Sequence, residues 1–104
     1  EPCTIAWEIM ESYAKLFVSM PDYVTAKGMR VLGNPLLGDE PIVSGESGAS
    51  CFGLVVEVLQ DKELAWLKEQ LGLNSESKIL CISTEGDTDK ANYRSIVWDG
   101  AYHK

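Results

Sequence analysis

Two stretches of the chain combine residue types that bind small ligands. The first, residues 83–89, reads Ser-Thr-Glu-Gly-Asp-Thr-Asp and follows the short apolar run 79–82. Such a run predicts a strand buried on both faces of a parallel sheet. Hydroxyls at the carboxyl end of that strand would lie where open α/β sheets bind ligands, so Ser83 and Thr84 are candidate binding residues. The pattern equally allows a plain strand-to-helix connection capped by one of its two aspartates.

The second stretch, residues 44–49, reads Ser-Gly-Glu-Ser-Gly-Ala and follows the apolar pair 42–43. Its small residues, two glycines and one carboxylate make it similar in kind to the first stretch. It is not a nucleotide-binding loop, because the lysine and spacing of GxxxxGK[ST] are missing and no GxGxxG occurs in the chain. Small residues flank Ser47, but a hydrolase triad needs a histidine and the only one is His103, near the end of the sequence.

Carboxylates and cysteines give no clear metal site. Asp87 and Asp89 could chelate a hard cation such as magnesium, but helix capping explains both without a metal. The three cysteines, Cys3, Cys51 and Cys81, are an odd number without C-x-x-C spacing, which does not indicate zinc. Cys81 lies in the apolar run and is expected to be a small core residue, as is Cys51 on a predicted helix. Cys3 could have a disulfide partner upstream.

Apolar spacing and caps predict the helices that would position these residues. The predicted helices begin at Thr4 (apolar face Ile5, Ile9, Tyr13 and Phe17), at Pro21 (ending near Leu32), after Ser44 (apolar stripe Phe52, Val55, Val56 and Leu59), at Asp61 (face Leu64, Leu67 and Leu71, ending at Gly72), and at Thr88 or Asp89 (Tyr93, Ile96 and Val97). Gly53 is expected to allow close packing on a sheet.

Short strands are predicted between these helices. They are residues 16–20 and 79–82, with 42–43 too short to assign alone, and residues 36–41 form a surface loop. The alternation predicts the α/β class: a fragment of a three-layer α/β/α domain with about three short parallel strands and about five helices. Residues 1–104 would form one such unit.

Composition excludes several partners. The chain has 16 acidic and 9 basic residues and a formal net charge of −7, which opposes binding to nucleic acid and to anionic lipid. No apolar stretch is long enough to span a bilayer, and the N-terminus lacks the order of a signal peptide. The expected location is therefore the cytoplasm.

Four motifs together resemble a known family. They are Gly-Met-Arg-Val-Leu-Gly-Asn-Pro (28–35) and the segments 44–49, 82–89 and 93–102. In these motifs the chain is similar to the carboxyl-terminal quarter of the diaminopropionate ammonia-lyase family. These are fold type II pyridoxal phosphate enzymes, similar in plan to threonine deaminase and the tryptophan synthase β subunit. The resemblance implies conversion of 2,3-diaminopropionate to pyruvate and ammonia.

The resemblance also implies positions for the cofactor. Thr84 would face the pyridine nitrogen, with Ser83 as the nearby alternative, and Gly45 and Glu46 would lie beside the ring. A neutral hydroxyl does not enforce a protonated ring as a carboxylate would, which suits expulsion of the β-amine.

The remaining machinery is expected elsewhere. The family's Schiff-base lysine, glycine-rich phosphate loop and catalytic aspartates would lie upstream, so no catalytic residue is assigned in this chain, and the isolated chain is predicted to be inactive. The full-length protein would be a homodimer acting on a small amino acid, and exposed sheet edges would favour self-association of the isolated chain. The competing hypothesis is a non-catalytic acidic α/β module that binds a partner through loop 36–41.

Overall fold

The structure, a computed structural model, describes residues 4–103. Within that range it contains five α-helices and one 3₁₀ turn and no β-strand, so the α/β prediction is wrong. The elements are α1 (Thr4–Tyr13), α2 (Asp22–Gly33), α3 (Glu46–Gln60), the 3₁₀ turn (Lys62–Leu64), α4 (Ala65–Leu71) and α5 (Lys90–Val97).

The predicted strands fail for lack of backbone partners. Residues 79–82 have no regular secondary structure, and Leu80 and Ile82 are 83% and 68% exposed. The backbone hydrogen bond to residues 42–45 comes after this segment: the Gly45 nitrogen donates to the Glu85 oxygen at 3.1 Å. A ladder requires repeated bonds between neighbouring chains. An apolar, β-branched run shows which residues suit a strand, but pairing decides whether one forms.

Helices α2 and α3 approach each other through glycines. A Cβ on Gly53 would lie 2.2 Å from the carbonyl oxygen of Val24, and one on Gly28 would lie 2.6 Å from that of Ala49. No side chain fits at either position, because real Cβ atoms do not approach so closely. Gly53 therefore allows close packing as predicted, but against a helix and not against a sheet.

The buried face of α3 also differs from the predicted stripe. The helix buries Gly48, Ala49, Gly53, Glu57 and Val58, whereas Leu59 of the predicted stripe is exposed and Phe52, Val55 and Val56 are half-buried. Because α3 packs on α2 through small residues, the larger side chains lie at the border of the contact. The carboxylate of the buried Glu57 accepts a hydrogen bond from Lys27 Nζ at 2.8 Å.

Helix α5 completes a small core with the α2–α3 pair. Ala26, Met29, Ala49 and Ile96 form that core. Arg30 of α2 fastens the end of α5: its Nε donates to the Ile96 carbonyl oxygen at 3.0 Å, and its Nη2 donates to the Ala101 carbonyl oxygen. These bonds satisfy carbonyls near the helix end, where no intrahelical partner exists.

Several predicted helix boundaries are confirmed. The Asp61 side chain accepts a hydrogen bond from the Glu63 nitrogen at 3.0 Å, and the Asp89 side chain accepts one from the Asn92 nitrogen at 3.0 Å. Gly72 ends α4 in the left-handed region with φ of +69°. The second helix begins at Asp22 directly after Pro21 and ends at Gly33. These signals act over a few residues, which is why the sequence shows them.

Helix α1 buries no residue against the rest of the described chain. It ends at Tyr13, so Phe17 of the predicted face lies beyond it, where its ring is 6.2 Å from that of Trp7. The predicted strand at 16–20 is absent there as well. Among residues 4–103, no helix has the length and apolar character needed to cross a membrane.

Candidate functional site

Two serines join the two stretches that the sequence singles out. The Oγ atoms of Ser44 and Ser83 lie 2.8 Å apart, and Ser44 is fully buried. A Cβ on Gly48 would lie 2.5 Å from the Ser44 Oγ and 2.7 Å from the Ser83 Oγ. The first turn of α3 therefore packs directly on the hydroxyl pair, and only glycine leaves room for it.

Glu85 links the second stretch to the start of α3. Its backbone oxygen accepts the hydrogen bond from the Gly45 nitrogen at 3.1 Å, and its Oε1 accepts one from the Ser47 nitrogen at 3.2 Å. The carboxylate thus satisfies an N-terminal amide of α3 and lies at the positive end of the helix dipole. A Cβ on Gly45 would lie 2.7 Å from the Gly86 oxygen and 2.8 Å from the Glu85 Cγ, so this turn has no space for a side chain.

Asn92 of α5 holds the acidic residue of the first turn of α3. Its Nδ2 donates to Glu46 Oε1, while its backbone nitrogen donates to Asp89. Around these residues lies a small cleft lined by residues 45–46, the loop 85–89, and Met29, Asn92 and Tyr93. The orientation of Glu46 is consequently set by a helix from the far end of the sequence.

The predicted site residues are only partly brought together. Ser83 and Gly45 each contact the partner stretch directly, and Glu46 lies in the cleft. Thr84 is exposed and does not line the cleft, and its hydroxyl has no hydrogen-bond partner among residues 4–103. Sequence reasoning did not assign Ser44, Glu85 or Asn92 to the site. Ser44 and Glu85 lie within the two stretches that the sequence singled out, but the role of each of the three residues depends on a contact with a distant part of the chain, which no local pattern shows.

Helix α3 contacts the segment 81–85 at a third position, in addition to the contacts of Ser47 with Glu85 and of Gly48 with Ser83. Cys51, one turn after Gly48, has its Sγ 3.1 Å from the Sγ of Cys81. Burial, the hydrogen bond with Cys51 and the charge of Cys51 together raise the pKa of Cys81 from 9.0 to about 11, and burial is the largest of the three causes. The prediction that both cysteines are core residues is wrong, because Cys51 is exposed and Cys81 is only half-buried.

Carboxylates at the cleft do not form a metal site. Within residues 4–103 no group of three or more histidine, cysteine, aspartate or glutamate side chains could hold a metal ion. Asp89 acts as the cap of α5, as the capping interpretation predicted.

Comparison with known proteins shows which enzymes have a similar sequence. Over 102 residues the chain is 47% identical to diaminopropionate ammonia-lyase of Escherichia coli strain K12, covering 98% of this chain and 26% of the relative. It is 42% identical over 101 residues to the enzyme of Salmonella typhimurium, covering 96% of this chain and 25% of that one. The chain therefore spans about a quarter of the length of the curated relatives it matches. No protein-family model matches the chain.

Solved structures agree with the sequence matches. The apo form of the E. coli enzyme superposes with a TM-score of 0.92 at 46% identity, over 97% of this chain and 28% of that one. The same enzyme in complex with an aminoacrylate-PLP azomethine reaction intermediate gives a TM-score of 0.93, over 98% of this chain and 27% of that one.

These matches define a class first: the chain is similar to part of an ammonia-lyase that has been solved with an intermediate of pyridoxal phosphate (PLP). The particular enzyme that it resembles is diaminopropionate ammonia-lyase, as the four sequence motifs predicted, and that prediction is confirmed.

Proposed function

We propose that this chain is the carboxyl-terminal segment of a PLP-dependent ammonia-lyase that converts 2,3-diaminopropionate to pyruvate and ammonia by α,β-elimination. The observation that carries the proposal is the 46% identity and TM-score of 0.93 to the E. coli enzyme solved with an aminoacrylate-PLP azomethine intermediate. Both measures extend over 98% of the chain, so the similarity includes the hydroxyl pair, the cleft and the turn at Gly45.

The residues of the chain fit one side of such a cofactor site. When bound, PLP withdraws electrons from the α-carbon of an amino-acid substrate. Carboxylates of the chain line the cleft, whereas the hydroxyls of Ser83 and Thr84 lie outside that lining. A neutral hydroxyl can hydrogen-bond a ring nitrogen without enforcing its protonation. Ser83 is fixed by Ser44 and by the glycine surface of α3, which gives the adjacent Thr84 a defined backbone position.

Between the two candidate hydroxyls, we assign Thr84 to the ring nitrogen. The Ser83 hydroxyl is already engaged with Ser44 at 2.8 Å, whereas the Thr84 hydroxyl has no partner among the described residues and is exposed. Glu46 and Gly45 would lie beside the ring, with Glu46 oriented by Asn92. Asn92 holds the Glu46 carboxylate in place, and the absence of a side chain at Gly45 allows the turn to pack against Gly86.

The rest of the proposal concerns the complete polypeptide that carries this chain. It would supply the Schiff-base lysine, the phosphate-binding loop and the catalytic aspartates, and it would act as a cytoplasmic homodimer. Residues 1–104 alone would have no lyase activity. The net charge of −7 supports a small-molecule substrate over nucleic acid or an anionic membrane.

The test is pyruvate release from 2,3-diaminopropionate by the complete polypeptide with PLP, beside residues 1–104 alone under the same conditions. We expect product from the complete polypeptide and none from the isolated chain. A complete polypeptide that binds PLP but releases no pyruvate from this substrate would overturn the substrate assignment. Product from the isolated chain would overturn the view that its catalytic residues lie elsewhere.

A further inference from the structure

Two thiols from distant parts of the sequence face each other beside the candidate site. Cys51 lies on α3 and Cys81 lies in the segment that leads to Ser83, and their Sγ atoms are 3.1 Å apart. Both are free cysteines. A disulfide has an S–S length of about 2.05 Å, so an approach of about 1 Å would bring the two sulfurs to bonding distance.

The surrounding contacts already hold the two backbones together. Moving along α3 from Ser47 to Gly48 to Cys51, the helix meets Glu85, then Ser83, then Cys81. Helix α3 and the segment 81–85 therefore run in opposite directions, and each of these three residues of α3 contacts a different residue of the segment. Because this row orders both cysteines, closing the bond requires little further loss of conformational freedom.

We propose that Cys51 and Cys81 are a redox modification site, which closes to a reversible disulfide when it reacts with a low-molecular-weight disulfide such as oxidised glutathione. The proposal rests on the geometry of the two thiols and is independent of the proposed lyase function.

The exchange proceeds in two steps. The thiolate of Cys51, the exposed member of the pair, attacks one sulfur of the oxidant, forming a mixed disulfide and releasing one reduced thiolate. Cys81 then loses its proton to solvent and attacks the Cys51 sulfur, which releases the second small thiol. Two electrons pass from the two protein thiols to the oxidant, and two protons are lost from the protein and gained by the released thiols.

The raised pKa of Cys81 fits this order of events. With a pKa of about 11, Cys81 stays a protonated thiol near neutral pH and is a poor first nucleophile. It acts once the mixed disulfide on Cys51 lies beside it. The resulting bond would link residues 79–85 covalently to α3, about one helical turn beyond Gly48, which packs on the Ser44–Ser83 pair.

The experiment uses the complete polypeptide with Cys3 replaced by serine, equilibrated in defined mixtures of oxidised and reduced glutathione. After acid quenching and alkylation, trypsin places Cys51 in the peptide 31–62 and Cys81 in the peptide 79–90. We expect a cross-linked pair of these two peptides, lost on reduction. In Cys51→Ser and Cys81→Ser, matched controls that each keep one thiol of the pair, the reaction should yield no cross-link between these peptides.

A native-state comparison separates a built pair from chance contact. The equilibrium constant for the Cys51–Cys81 disulfide should be at least about tenfold larger in the folded protein than in urea, equivalent to about 30 mV for two electrons. Equal constants in the two states, or separate glutathione adducts on both cysteines without a cross-link in the folded protein, would overturn the proposal.

Discussion

Ser44 and Ser83 share a hydrogen bond of 2.8 Å although they lie 39 positions apart in the sequence, and Ser44 is completely buried while Ser83 is exposed. The bond joins the start of α3 to the hydroxyl-rich stretch 83–89. The two hydroxyl oxygens occupy the space where a side chain at position 48 would lie, so the contact requires small residues at positions 44, 48 and 83. The hydrogen-bonded hydroxyl pair therefore connects the two stretches of the candidate site, 44–49 and 83–89.

The first prediction is that Ser44 and Gly48 are energetically coupled. Ser44→Ala should lower the free energy of unfolding by about 1 kcal/mol, since a hydrogen bond is lost while the exposed Ser83 can turn to water. Gly48→Ala should cost about 1 to 3 kcal/mol, because its Cβ would lie 2.5 Å from the Ser44 Oγ. Removing that oxygen first should relieve part of the clash.

A double-mutant cycle measured by urea unfolding of the complete polypeptide checks this coupling. The cost of Gly48→Ala should be smaller in the Ser44→Ala background by about 0.5 kcal/mol or more. Ser75→Ala, at an exposed position, is the control and should change stability by less than about 0.5 kcal/mol. Strictly additive effects of the two substitutions would contradict the contact.

The second prediction concerns the glycine contact between α2 and α3. Gly53→Ala would place a Cβ 2.2 Å from the Val24 carbonyl oxygen, so the helices must separate. Although alanine is the better helix former, we expect a loss of about 1 to 3 kcal/mol from overpacking. Gly86→Ala is the matched control, because a Cβ there meets no atom within 4 Å. If Gly53→Ala were as stable as the parent protein, the close approach of the two helices would be wrong.

Local signals account for the parts of the fold that the sequence predicted. The aspartate caps at Asp61 and Asp89 and the left-handed Gly72 depend on neighbouring residues only, and all three are confirmed. The run 79–82 has strand-like composition, but no neighbouring backbone in residues 4–103 pairs with it as a ladder. A strand is a property of two segments, so one segment's composition does not establish it.

In the candidate site, too, the sequence predicted the local features but not the contacts between distant residues. The stretches 44–49 and 83–89 were recognisable from their residue types, and the structure brings them together through Ser44, Ser83 and Glu85. That Glu85 caps α3, and that Asn92 holds Glu46, follows from tertiary contacts that span 38 and 46 residues. No periodicity or cap motif reports on separations of that size.

The third prediction is a pH dependence from Cys81. Its pKa is raised to about 11 in the folded protein, mainly by burial, so between pH 9 and 11 the folded state keeps a proton that the unfolded chain has lost. The unfolded state then binds fewer protons, and the free energy of unfolding falls as pH rises through this window. The stabilisation is complete below pH 9.

Parallel urea titrations at pH 8 to 11, under reducing conditions, check this contribution. The parent protein should lose more stability than Cys81→Ala across the window, because lysine and tyrosine titrations are common to both proteins and cancel in the difference. Identical pH profiles for the two proteins would show that the thiol is not shielded from solvent in the way the structure indicates.

The last prediction tests Thr84 in the complete polypeptide and rests on the proposed position of its hydroxyl at the pyridine nitrogen. Thr84→Asp should raise the proton affinity of that nitrogen by about one to three pKa units, because a carboxylate within hydrogen-bonding distance favours the charged ring. Turnover should then fall by about tenfold to a thousandfold, each factor of ten corresponding to about 1.4 kcal/mol of barrier. The pH dependence of the cofactor's visible absorption should shift in parallel, which a purely structural defect would not produce.

Thr84→Ser is the conservative control and should remain close to the parent in turnover and spectrum, since it keeps the hydroxyl. Ser83→Asp distinguishes the neighbouring hydroxyl: it should mainly destabilise the fold by placing a carboxylate against Ser44 and Gly48. Should Ser83→Asp shift the cofactor spectrum while Thr84→Asp leaves spectrum and turnover unchanged, the ring contact belongs to Ser83. In that case the Ser44 hydrogen bond would act to orient the Ser83 hydroxyl toward the ring nitrogen.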